Sequence, residues 1–435
     1  MLLIKNGILV NTGSKNPLQQ VDILVSGKKI VKIGKNLTAT KAQLINAKGR
    51  IITAGLIDLH THLRDPGFTS KETIASGSAA AALGGFTTIV AMPNTQPRMD
   101  TAEKIKSFLA RAKSEGVVNI LTTGNLTQNG EGKLLTNFAA LKKAGVKILT
   151  DDGCGDSHPQ DLEVEKKLIA AAKKVKLPVM MHAEDSEMKC NTHLHAGVVA
   201  KKLGIRGSSA ECETVMIERV LELLRKNPTP YHFTHLSAAG SVDLIRVAKK
   251  RGLPITADTT PHHLTLTEKA ILDSGTLAKV NPPLRSEAHR KALIAGVKSG
   301  VIDAIATDHA PHLAEEKNCE FTKAAVGLVG LETAFAVLYT DLVKRKLLTL
   351  PQLIEKLTTA PAKILKLKAG EIKVGKEADI TIWDIETAYK IDKTKFASKG
   401  RNTPWNGKKV FGKATDVIVG GKIVVKAGKL VGDNS

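Results

Sequence analysis

Apolar segments typical of β-strands alternate with helical stretches through the middle of the chain, and this alternation constrains the fold more than any other feature. We place eight such strands at residues 55–60, 86–92, 118–124, 146–150, 178–182, 231–235, 254–258 and 302–307. The helical stretches between them include Thr101 to Ser114, Leu162 to Val175, Glu211 to Arg225 and Ser241 to Lys250. Strands that alternate with helices pair in parallel. The pattern therefore predicts an α/β fold with a closed (β/α)8 TIM barrel.

The two ends of the chain have a different texture. Short apolar runs separated by Asn-Gly and Ser-Gly turn signals occupy the first 54 residues, and a similar pattern with Gly420-Gly421 returns near the C-terminus. Such runs are typical of short strands joined by tight turns. We therefore predict that residues 1–54 and 365–435 form one small β-rich, sandwich-like domain, and that residues 55–364 form the barrel domain.

The first predicted barrel strand ends in two histidines. A mostly apolar run leads into His60 and His62, and Arg64 follows two residues later. Residues two apart on an extended strand point to the same side, so both imidazoles should leave the strand end together. Neutral imidazole is a common zinc ligand, and a guanidinium binds carboxylates well. The segment predicts a metal that takes part in chemistry, beside an arginine that holds an anionic substrate.

Four further predicted strands also end in residue types that bind metals. In chain order these residues are Asp151 or Asp152, His182, His235 and Asp308. Barrel enzymes carry their chemistry at the C-terminal ends of the strands, so these side chains should meet the histidines of the first strand at one mouth. Four imidazoles and two carboxylates suffice for one or two Zn²⁺ ions per subunit.

Other polar side chains near the strand ends are candidates for substrate contacts. Asn94 follows the second strand and offers both a donor and an acceptor. Asn281 lies in an Asn-Pro-Pro loop after the seventh strand, and we expect it to be functional. His262 and His263 follow the same strand, and the sequence does not choose between support of the site and simple packing. Three further histidines are predicted to lie at the surface, namely His158, His193 and His195.

The charge of the chain bears on its partners. The formal net charge is +22, but the lysines are dispersed in pairs that fall late in predicted helices, where cations favour the helix dipole. Aromatic residues make up only 3% of the chain, which argues against a stacking platform for nucleic acid bases. We therefore predict no nucleic acid partner, and expect the charge to steer an anionic small molecule.

Cysteine usage and the N-terminus indicate the compartment. The four cysteines form no Cys-x-x-Cys pair and suggest no disulfide framework. Lys5 and Asn6 interrupt the first apolar run, so no signal peptide is expected, and glycines and threonines break the Ala-rich stretch 75–93, so no membrane span is expected. These features predict a cytoplasmic protein with no membrane partner.

Four motifs resemble those of the dihydroorotases of the amidohydrolase superfamily. They are Asp58-Leu-His-Thr-His-Leu-Arg-Asp-Pro-Gly67, Gly84-Gly-Phe-Thr-Thr-Ile-Val-Ala-Met-Pro-Asn-Thr95, Val280-Asn-Pro-Pro-Leu-Arg285 and Ile305-Ala-Thr-Asp-His-Ala-Pro-His312. The resemblance covers nearly the whole chain and extends to Asn402-Thr-Pro-Trp405 in the tail. It implies a dihydroorotase of the long bacterial type. Such an enzyme catalyses the reversible, zinc-dependent cyclisation of N-carbamoyl-L-aspartate to (S)-dihydroorotate plus water, the third step of pyrimidine biosynthesis.

The resemblance also implies how the metal ligands divide. His60, His62 and Asp308 would hold one zinc, and His182 and His235 a second. Many relatives bridge the two metals with a carboxylated lysine. Here Lys147 lies near the wrong end of its strand, whereas long bacterial members use an aspartate, and the match favours Asp152 over Asp151.

Catalytic and substrate-binding roles follow from the same resemblance. Asp308 would be the catalytic base that takes a proton from the attacking water and returns it to the leaving nitrogen. The substrate would be bound by Arg64, Asn94, Asn281 and His312, with Arg64 pairing with its carboxylate. One departure concerns a substrate-contacting loop, where Ala325-Val326 replaces the family's Pro-Phe. Loss of the proline is expected to loosen that loop and to weaken affinity rather than to change the reaction.

Two other functions compete with this one. A hydantoinase-like or allantoinase-like cyclic amidase shares the His-x-His, but its substrates lack the carboxylate that Arg64 would bind. A non-catalytic dihydroorotase-like partner of aspartate transcarbamoylase would be expected to have lost metal ligands, which are intact here. We expect a homo-oligomer, and an active enzyme could also bind aspartate transcarbamoylase.

Overall fold

Both ends of the chain contribute strands to one nine-stranded sheet in the computed structural model, which describes residues 1–13, 16–155 and 158–432. The strands are β1 Leu2–Val10, β2 Leu18–Ser26, β3 Lys29–Gly34, β4 Gln43–Asn46, β5 Ile51–Ala54, β6 Leu56–Thr61, β7 Phe86–Ala91, β8 Asn119–Thr122, β9 Val179–Met181, β10 Tyr231–Phe233, β11 Ile255–Thr259, β12 Ala304–Ile305, β13 Ile380–Asp384, β14 Tyr389–Lys390, β15 Lys409–Val410, β16 Lys413–Val419, β17 Lys422–Lys426 and β18 Lys429–Leu430.

Helices lie between the strands of the middle of the chain, so the fold is mixed α/β. They are α1 Ile74–Leu83, α2 Ala102–Glu115, α3 Phe138–Ala144, α4 Leu162–Val175, α5 Val198–Leu203, α6 Glu211–Lys226, α7 Ala239–Lys250, α8 Pro261–Thr265, α9 Ala270–Ser274, α10 Glu287–Ser299, α11 Ala314–Lys317, α12 Ala334–Leu338, α13 Leu350–Leu357 and α14 Thr359–Ile364. Short helical turns lie at Gln128–Gly130, Gly275–Ala278, Tyr339–Val343 and Lys393–Lys395. No helix of the described residues is both long and apolar enough to cross a membrane.

The nine-stranded sheet runs in the order β18-β17-β16-β13-β5-β1-β2-β3, with β4 also paired to β1. β5 is the junction, since it pairs in parallel with β1 and antiparallel with β13. Ile52 of β5 lies opposite Ile382 of β13, and both side chains are buried. The pairing thus joins strands from the first 54 residues to strands from beyond residue 379, and their isoleucines form a shared apolar core.

One predicted turn in this sheet is wrong. Asn6-Gly7 was expected to separate two short strands, yet β1 runs through it with only a shift of register between Ile4 and Gly7. Asn6 takes a positive φ of 63°, and a Cβ at Gly7 would lie 2.3 Å from the Ile52 side chain. The dipeptide therefore makes a bulge that lets β1 pack closely against β5 instead of reversing the chain.

The middle of the chain forms two parallel sheets that isolated parallel bridges connect. β6, β7 and β8 make one sheet, and β9, β10, β11 and β12 make the other. Leu149 bridges to Gly124 on one side and to Val179 on the other. Thr61 at the end of β6 bridges to His309, which follows β12. Parallel pairing therefore passes through all eight segments predicted as strands and returns to the first.

Two of these segments are shorter than predicted. The segment 146–150 pairs only at Leu149, and the segment 302–307 is regular only over β12. Backbone bonds still flank Leu149, since Thr150 N donates to Gly124 O and Met180 N donates to Leu149 O. The apolar run thus marks the correct position, but the chain leaves the sheet after one paired residue.

The helices agree closely with the predicted stretches, and two of them, α2 and α4, begin at capping side chains. Thr101 caps α2 by accepting from Lys104 N, and Asp161 caps α4 by accepting from two backbone N–H groups. The paired lysines predicted late in helices do occupy last turns, as Lys173 and Lys174 do in α4. They complement the negative end of the helix dipole and remain near solvent.

Packing of Trp383 in β13 against the parallel strands gives a test of how the two ends are attached. Gly85 has a φ of +82°, and a Cβ there would lie 2.2 Å from the Trp383 ring. The ring stacks on Phe335 at 3.8 Å, so it cannot retreat. We predict that Gly85→Ala lowers the free energy of unfolding by about 2–5 kcal/mol, since it combines backbone strain with overpacking.

The matched control is Gly252→Ala, because Gly252 also has a positive φ but has no atom near the added Cβ. This substitution should lower the free energy of unfolding by only about 1–2 kcal/mol, which is the strain of the left-handed backbone alone. Urea unfolding of both variants checks the difference. Equal losses in the two variants would show that the contact with Trp383 does not matter.

Candidate metal centre and active site

The end of β6 presents the first pair of imidazoles. His60 lies within β6 and His62 follows it, so the two-residue period of the strand directs both side chains to the same side. Their ring centroids are 5.1 Å apart, and both residues are buried. The predicted grouping of these two histidines is therefore present.

A second pair of imidazoles comes from the next sheet. His182 directly follows β9, and His235 lies two residues beyond β10. Their ring centroids are 4.4 Å apart, and His235 lies 5.2 Å from His60. His235 adopts a φ of +39°, a backbone conformation that non-glycine residues hold only when their surroundings impose it.

Asp152 lies between the two pairs and offers one oxygen to each. Its Oδ1 is 3.1 Å from His60 Nε2 and 3.6 Å from His62 Nε2. Its Oδ2 is 3.3 Å from His182 Nδ1 and 3.2 Å from His235 Nε2. This arrangement matches a carboxylate that bridges two cations.

Asp308 completes the cluster on the side of the first pair. Its Oδ1 is 3.1 Å from His62 Nε2 and 3.5 Å from His60 Nε2. Candidate ligand atoms of His60, His62 and Asp308 all lie within 4.8 Å of one another, as do those of His60, Asp152 and His235. The structure thus brings together all six residues that were predicted to bind metal.

Neighbouring side chains orient the two histidines of β6. His62 Nδ1 donates to the amide oxygen of Asn94 at 3.0 Å. His60 Nδ1 donates to Thr234 Oγ1 at 3.0 Å, while the Thr234 hydroxyl donates to Asp258. Both contacts hold a proton on Nδ1, so Nε2, which faces Asp152 and Asp308, is the ring atom of each histidine that would bind a cation.

Charge in the cluster also favours a cation. Burial opposes ionisation of Asp152 and Asp308, but the surrounding imidazoles outweigh it and hold the pKa of each carboxyl well below its usual range. Burial likewise lowers the pKa of an imidazole, yet Asp152 raises the pKa of His60 to about 9 and that of His182 to about 10. The two buried carboxylates therefore attract positive charge to the space between the four imidazoles. This set of ligands fits one or two divalent cations.

Neither of the alternatives for the bridging position reaches the cluster. Asp151 turns away, and its carboxylate accepts from Asn125 Nδ2, Leu126 N and Thr127 N. Burial raises the pKa of Asp151, as expected for a carboxyl group held inside a loop. Lys147 is exposed to solvent.

The predicted substrate residues line a cavity of about 380 Å³ that opens over the cluster. They are Arg64, Asn94, Asn281 and His312. Arg64 Nε donates to Pro311 O at 3.3 Å, which holds the side chain in place, and Nη2 lies 3.3 Å from the His312 ring. Burial lowers the pKa of Arg64 only to about 10, so it remains a cation at neutral pH.

Asn281 contacts the second pair of histidines. Its Nδ2 lies 3.0 Å from His182 Nε2 and 3.1 Å from Glu184 Oε2. His263, which the sequence left open, supports this loop, because its Nε2 donates to Pro282 O at 3.0 Å. Asn281 therefore stands between the candidate metal ligands and the cavity.

Two of the three histidines that were predicted to lie at the surface are buried instead. His158 is buried and pairs with Glu165 at 2.7 Å, and His195 is buried 3.4 Å from Arg285. His193 lines the cavity, as do Lys189 and Asn191 from the same loop. His158 also lies 3.1 Å from the Tyr231 hydroxyl. Tyr231 and Arg285 are far along the chain from the histidines that they contact, so the rule that lone polar residues are exposed failed here. Asp258 was also missed, although it follows an apolar run at the end of β11.

Comparisons with known proteins agree with this site. The model of the amidohydrolase family matches residues 51–424. Dihydroorotases from Bacillus cereus and Bacillus cytotoxicus are each 44% identical to the chain over 421 and 422 residues, which is 97% of this chain and 97% of each relative.

A hydantoinase and a dihydropyrimidinase are among the solved structures that share this fold. An L-hydantoinase (dihydropyrimidinase) from Arthrobacter aurescens has a TM-score of 0.89, and a dihydropyrimidinase from Brevibacillus agri has a TM-score of 0.86. Each is 25% identical and covers 99% of this chain, which covers 97% and 96% of them. With a buried His/Asp cluster beneath a polar cavity and near full-length similarity to these enzymes, the chain belongs to the amidohydrolase family and, within it, to the dihydroorotases, which are cyclic amide hydrolases.

Proposed function

We propose that this protein catalyses the reversible, zinc-dependent interconversion of N-carbamoyl-L-aspartate and (S)-dihydroorotate plus water, the third step of pyrimidine biosynthesis. One observation carries the proposal. The partly buried guanidinium of Arg64 lines the same cavity as a cluster of four imidazoles and two carboxylates. The cluster suits hydrolysis of an amide, and the guanidinium suits a substrate with a carboxylate beside that amide.

The metal ligands divide by the side of Asp152 that they face. His60, His62 and Asp308 would hold one zinc, and His182 and His235 a second, with Asp152 shared between them. When bound, zinc lowers the pKa of a water molecule and polarises a carbonyl oxygen. The distances of 3.1 to 3.6 Å from the Asp152 oxygens to the four imidazoles support this division.

Asp308 would move the proton. Its Oδ1 faces His60 and His62, which leaves Oδ2 to take a proton from the water that attacks the ring amide carbon. The same oxygen then returns the proton to the ring nitrogen as the C–N bond breaks. In the direction of ring closure, Asp308 accepts a proton from the attacking carbamoyl nitrogen and delivers it to the departing oxygen.

The cavity residues would hold the rest of the substrate. Arg64 would pair with the carboxylate that does not react. The His312 ring lies 3.3 Å from Arg64 and would contact the same carboxylate. Asn94 would donate a hydrogen bond from Nδ2, and Asn281 would accept one at Oδ1, since its Nδ2 already faces His182 and Glu184. Burial lowers the pKa of His312 to about 3, so a neutral imidazole stands beside Arg64 and does not repel it.

A cyclic amidase for hydantoin or allantoin is the main alternative, and the likeness to solved hydantoinase structures is the observation in its favour. Those rings lack the carboxylate that Arg64 would bind. The Bacillus dihydroorotases, at 44% identity, support the carboxylate-bearing ring. A non-catalytic partner of aspartate transcarbamoylase is disfavoured by the complete ligand set.

We also infer that the eight parallel segments close into one (β/α)8 barrel over residues 55–364, carried beside a β-rich domain of residues 1–54 and 365–435. The bridges of Leu149 to both neighbours and of Thr61 to His309 support closure. Assembly into a homo-oligomer, association with aspartate transcarbamoylase and a cytoplasmic location stay predictions.

Substitution of Arg64 tests the substrate class. We predict that wild-type protein loaded with zinc hydrolyses dihydroorotate but not hydantoin or allantoin, and that Arg64→Met raises KM for dihydroorotate by about 100-fold, since a charge-assisted pair is lost. Dihydrouracil, the same ring without the carboxylate, should be turned over equally poorly by both proteins. Initial rates with the four rings, followed by absorbance, measure this.

The control is Arg251→Met, an exposed arginine away from the cavity, which should leave all rates unchanged. If wild-type protein prefers hydantoin or allantoin, the substrate assignment is wrong. If Arg64→Met leaves the KM for dihydroorotate unaltered, Arg64 does not bind the carboxylate.

Substitution of Asp308 tests the proton transfer. We predict that Asp308→Asn lowers kcat by about 1,000-fold or more, because an amide cannot accept the proton. Zinc bound per subunit should fall little, since the amide oxygen can still face His60 and His62. Elemental analysis and steady-state rates are measured on the same samples, with the exposed Asp273→Asn as the control. Near-normal turnover by Asp308→Asn would exclude Asp308 as the base.

A further inference from the structure

A loop at the rim of the cavity is built from residues 321–327, and two of them face the substrate space. Val326 and Gly327 line the cavity. The Val326 carbonyl accepts from His312 Nε2 at 2.8 Å, so the loop also fixes the imidazole that stands beside Arg64. The shape of this loop therefore determines where His312 lies.

Lys279 anchors the first half of the loop from below. It is 1% exposed, and its Nζ donates to Phe321 O at 2.7 Å, Ala324 O at 2.8 Å and Thr322 O at 3.1 Å. Its backbone oxygen accepts from Gly327 N at 2.9 Å. Since Asn281 lies two residues further on, Lys279 ties the loop to the segment that carries Asn281.

Lys317 anchors the second half. It is 3% exposed at the end of α11, and its Nζ donates to Ala325 O at 2.7 Å and Gly327 O at 3.0 Å. It also approaches Lys279 O at 3.4 Å. Lys317 follows His312 by five residues, so it ties the loop to the segment that carries His312.

Neither ammonium group forms a salt bridge with a carboxylate of the described residues. Burial lowers the pKa of Lys317 to about 7, which reflects the cost of keeping this charge away from water. Burying an ammonium without a counterion costs free energy, so the fold gains something from these contacts other than ion pairing. These contacts instead hold five backbone carbonyl groups of the loop in place, each directed toward a buried ammonium group.

The same contacts explain how the loop holds its shape with Ala325 in place of the family's proline. Proline restricts a loop through its own ring. Hydrogen bonds to carbonyl oxygens restrict the backbone whatever the side chain, and Asn402 from the tail adds another to Gly327 O at 3.1 Å. Asn402 also accepts from His312 N at 3.2 Å, so the tail, the loop and His312 share one network.

We propose that Lys279 and Lys317 are positioning residues for substrate binding, which hold the 321–327 loop by its carbonyl groups so that Val326, Gly327 and His312 form one wall of the site. The proposal rests on the function proposed above. It predicts that loss of either ammonium weakens substrate binding while the metal ligands, which lie on other segments, keep their ions.

The test compares Lys279→Met and Lys317→Met with Lys323→Met. Lys323 lies in the same loop and carries the same charge, but its side chain is 77% exposed and pairs only with the exposed Glu320. Each buried-lysine variant should raise KM for dihydroorotate by about tenfold or more and change kcat by less than about threefold, the pattern of lost binding rather than lost chemistry. The control should match wild-type protein.

Two further readouts separate positioning from general damage. Zinc per subunit should stay at the wild-type value, and hydrogen–deuterium exchange of a peptide spanning residues 318–330 should become faster in the buried-lysine variants alone. An unchanged KM in both variants, or a loss of zinc in step with the loss of activity, would overturn the proposal.

If the methionine variants do not fold, two measurements still decide. Lys317→Gln keeps a donor and should raise KM for dihydroorotate by less than about tenfold, whereas an unchanged KM would contradict the proposal. In wild-type protein the amides of residues 323–325, which donate to Glu316 O and Glu320 O, should exchange slowly, and fast exchange would contradict an anchored loop. A wild-type protein that does not hydrolyse dihydroorotate would instead refute the proposed function, while the exchange measurement still tests the loop.

Discussion

The carboxylate of Asp152, shared between two pairs of imidazoles, is the interaction on which the rest of the site depends. A buried carboxylate is unstable unless positive charge or hydrogen-bond donors surround it. Here β6, β9 and β10 each direct histidines at it, one oxygen for each pair. β9 and β10 pair in parallel, and the bridges of Leu149 and Thr61 connect their sheet to the one that contains β6, so the fold itself brings these histidines together.

The strand ends are locked beneath this cluster by a second layer of hydrogen bonds. Asp58 in β6 accepts from Thr307 N at 2.9 Å and from His60 N at 3.2 Å, so it holds His60 and the Asp308 segment at a fixed spacing. Asp258 accepts from His235 N at 2.6 Å. Asp308 and Arg64 adopt positive φ angles of 51° and 59°. These backbone conformations are strained, and the surrounding contacts stabilise them. The site is therefore rigid in the elements that carry metal ligands and depends on anchored loops elsewhere.

Much of the fold and the core of the site could be predicted from the sequence, because both depend on local patterns. Apolar runs located the parallel segments, and the residue types that end those runs identified His60, His182 and Asp308. What the sequence could not reveal depends on contacts between distant residues. No local signal marks the burial of His158 beside Tyr231, the bulge at Gly7 under Ile52 or the inward turn of Lys279 toward Phe321. Asp152 could be preferred to Asp151 only through family resemblance, since adjacent carboxylates differ in direction rather than in type.

The most direct test of the central claim is an anomalous difference map, recorded at the zinc absorption edge, from crystals of the zinc-loaded protein. The account predicts two peaks, one among His60, His62 and Asp308 and one beside His182 and His235. An oxygen of Asp152 should lie about 2.0–2.2 Å from each peak. Zinc bound at these histidines without Asp152, or zinc ligated by Asp151 instead, would contradict the account.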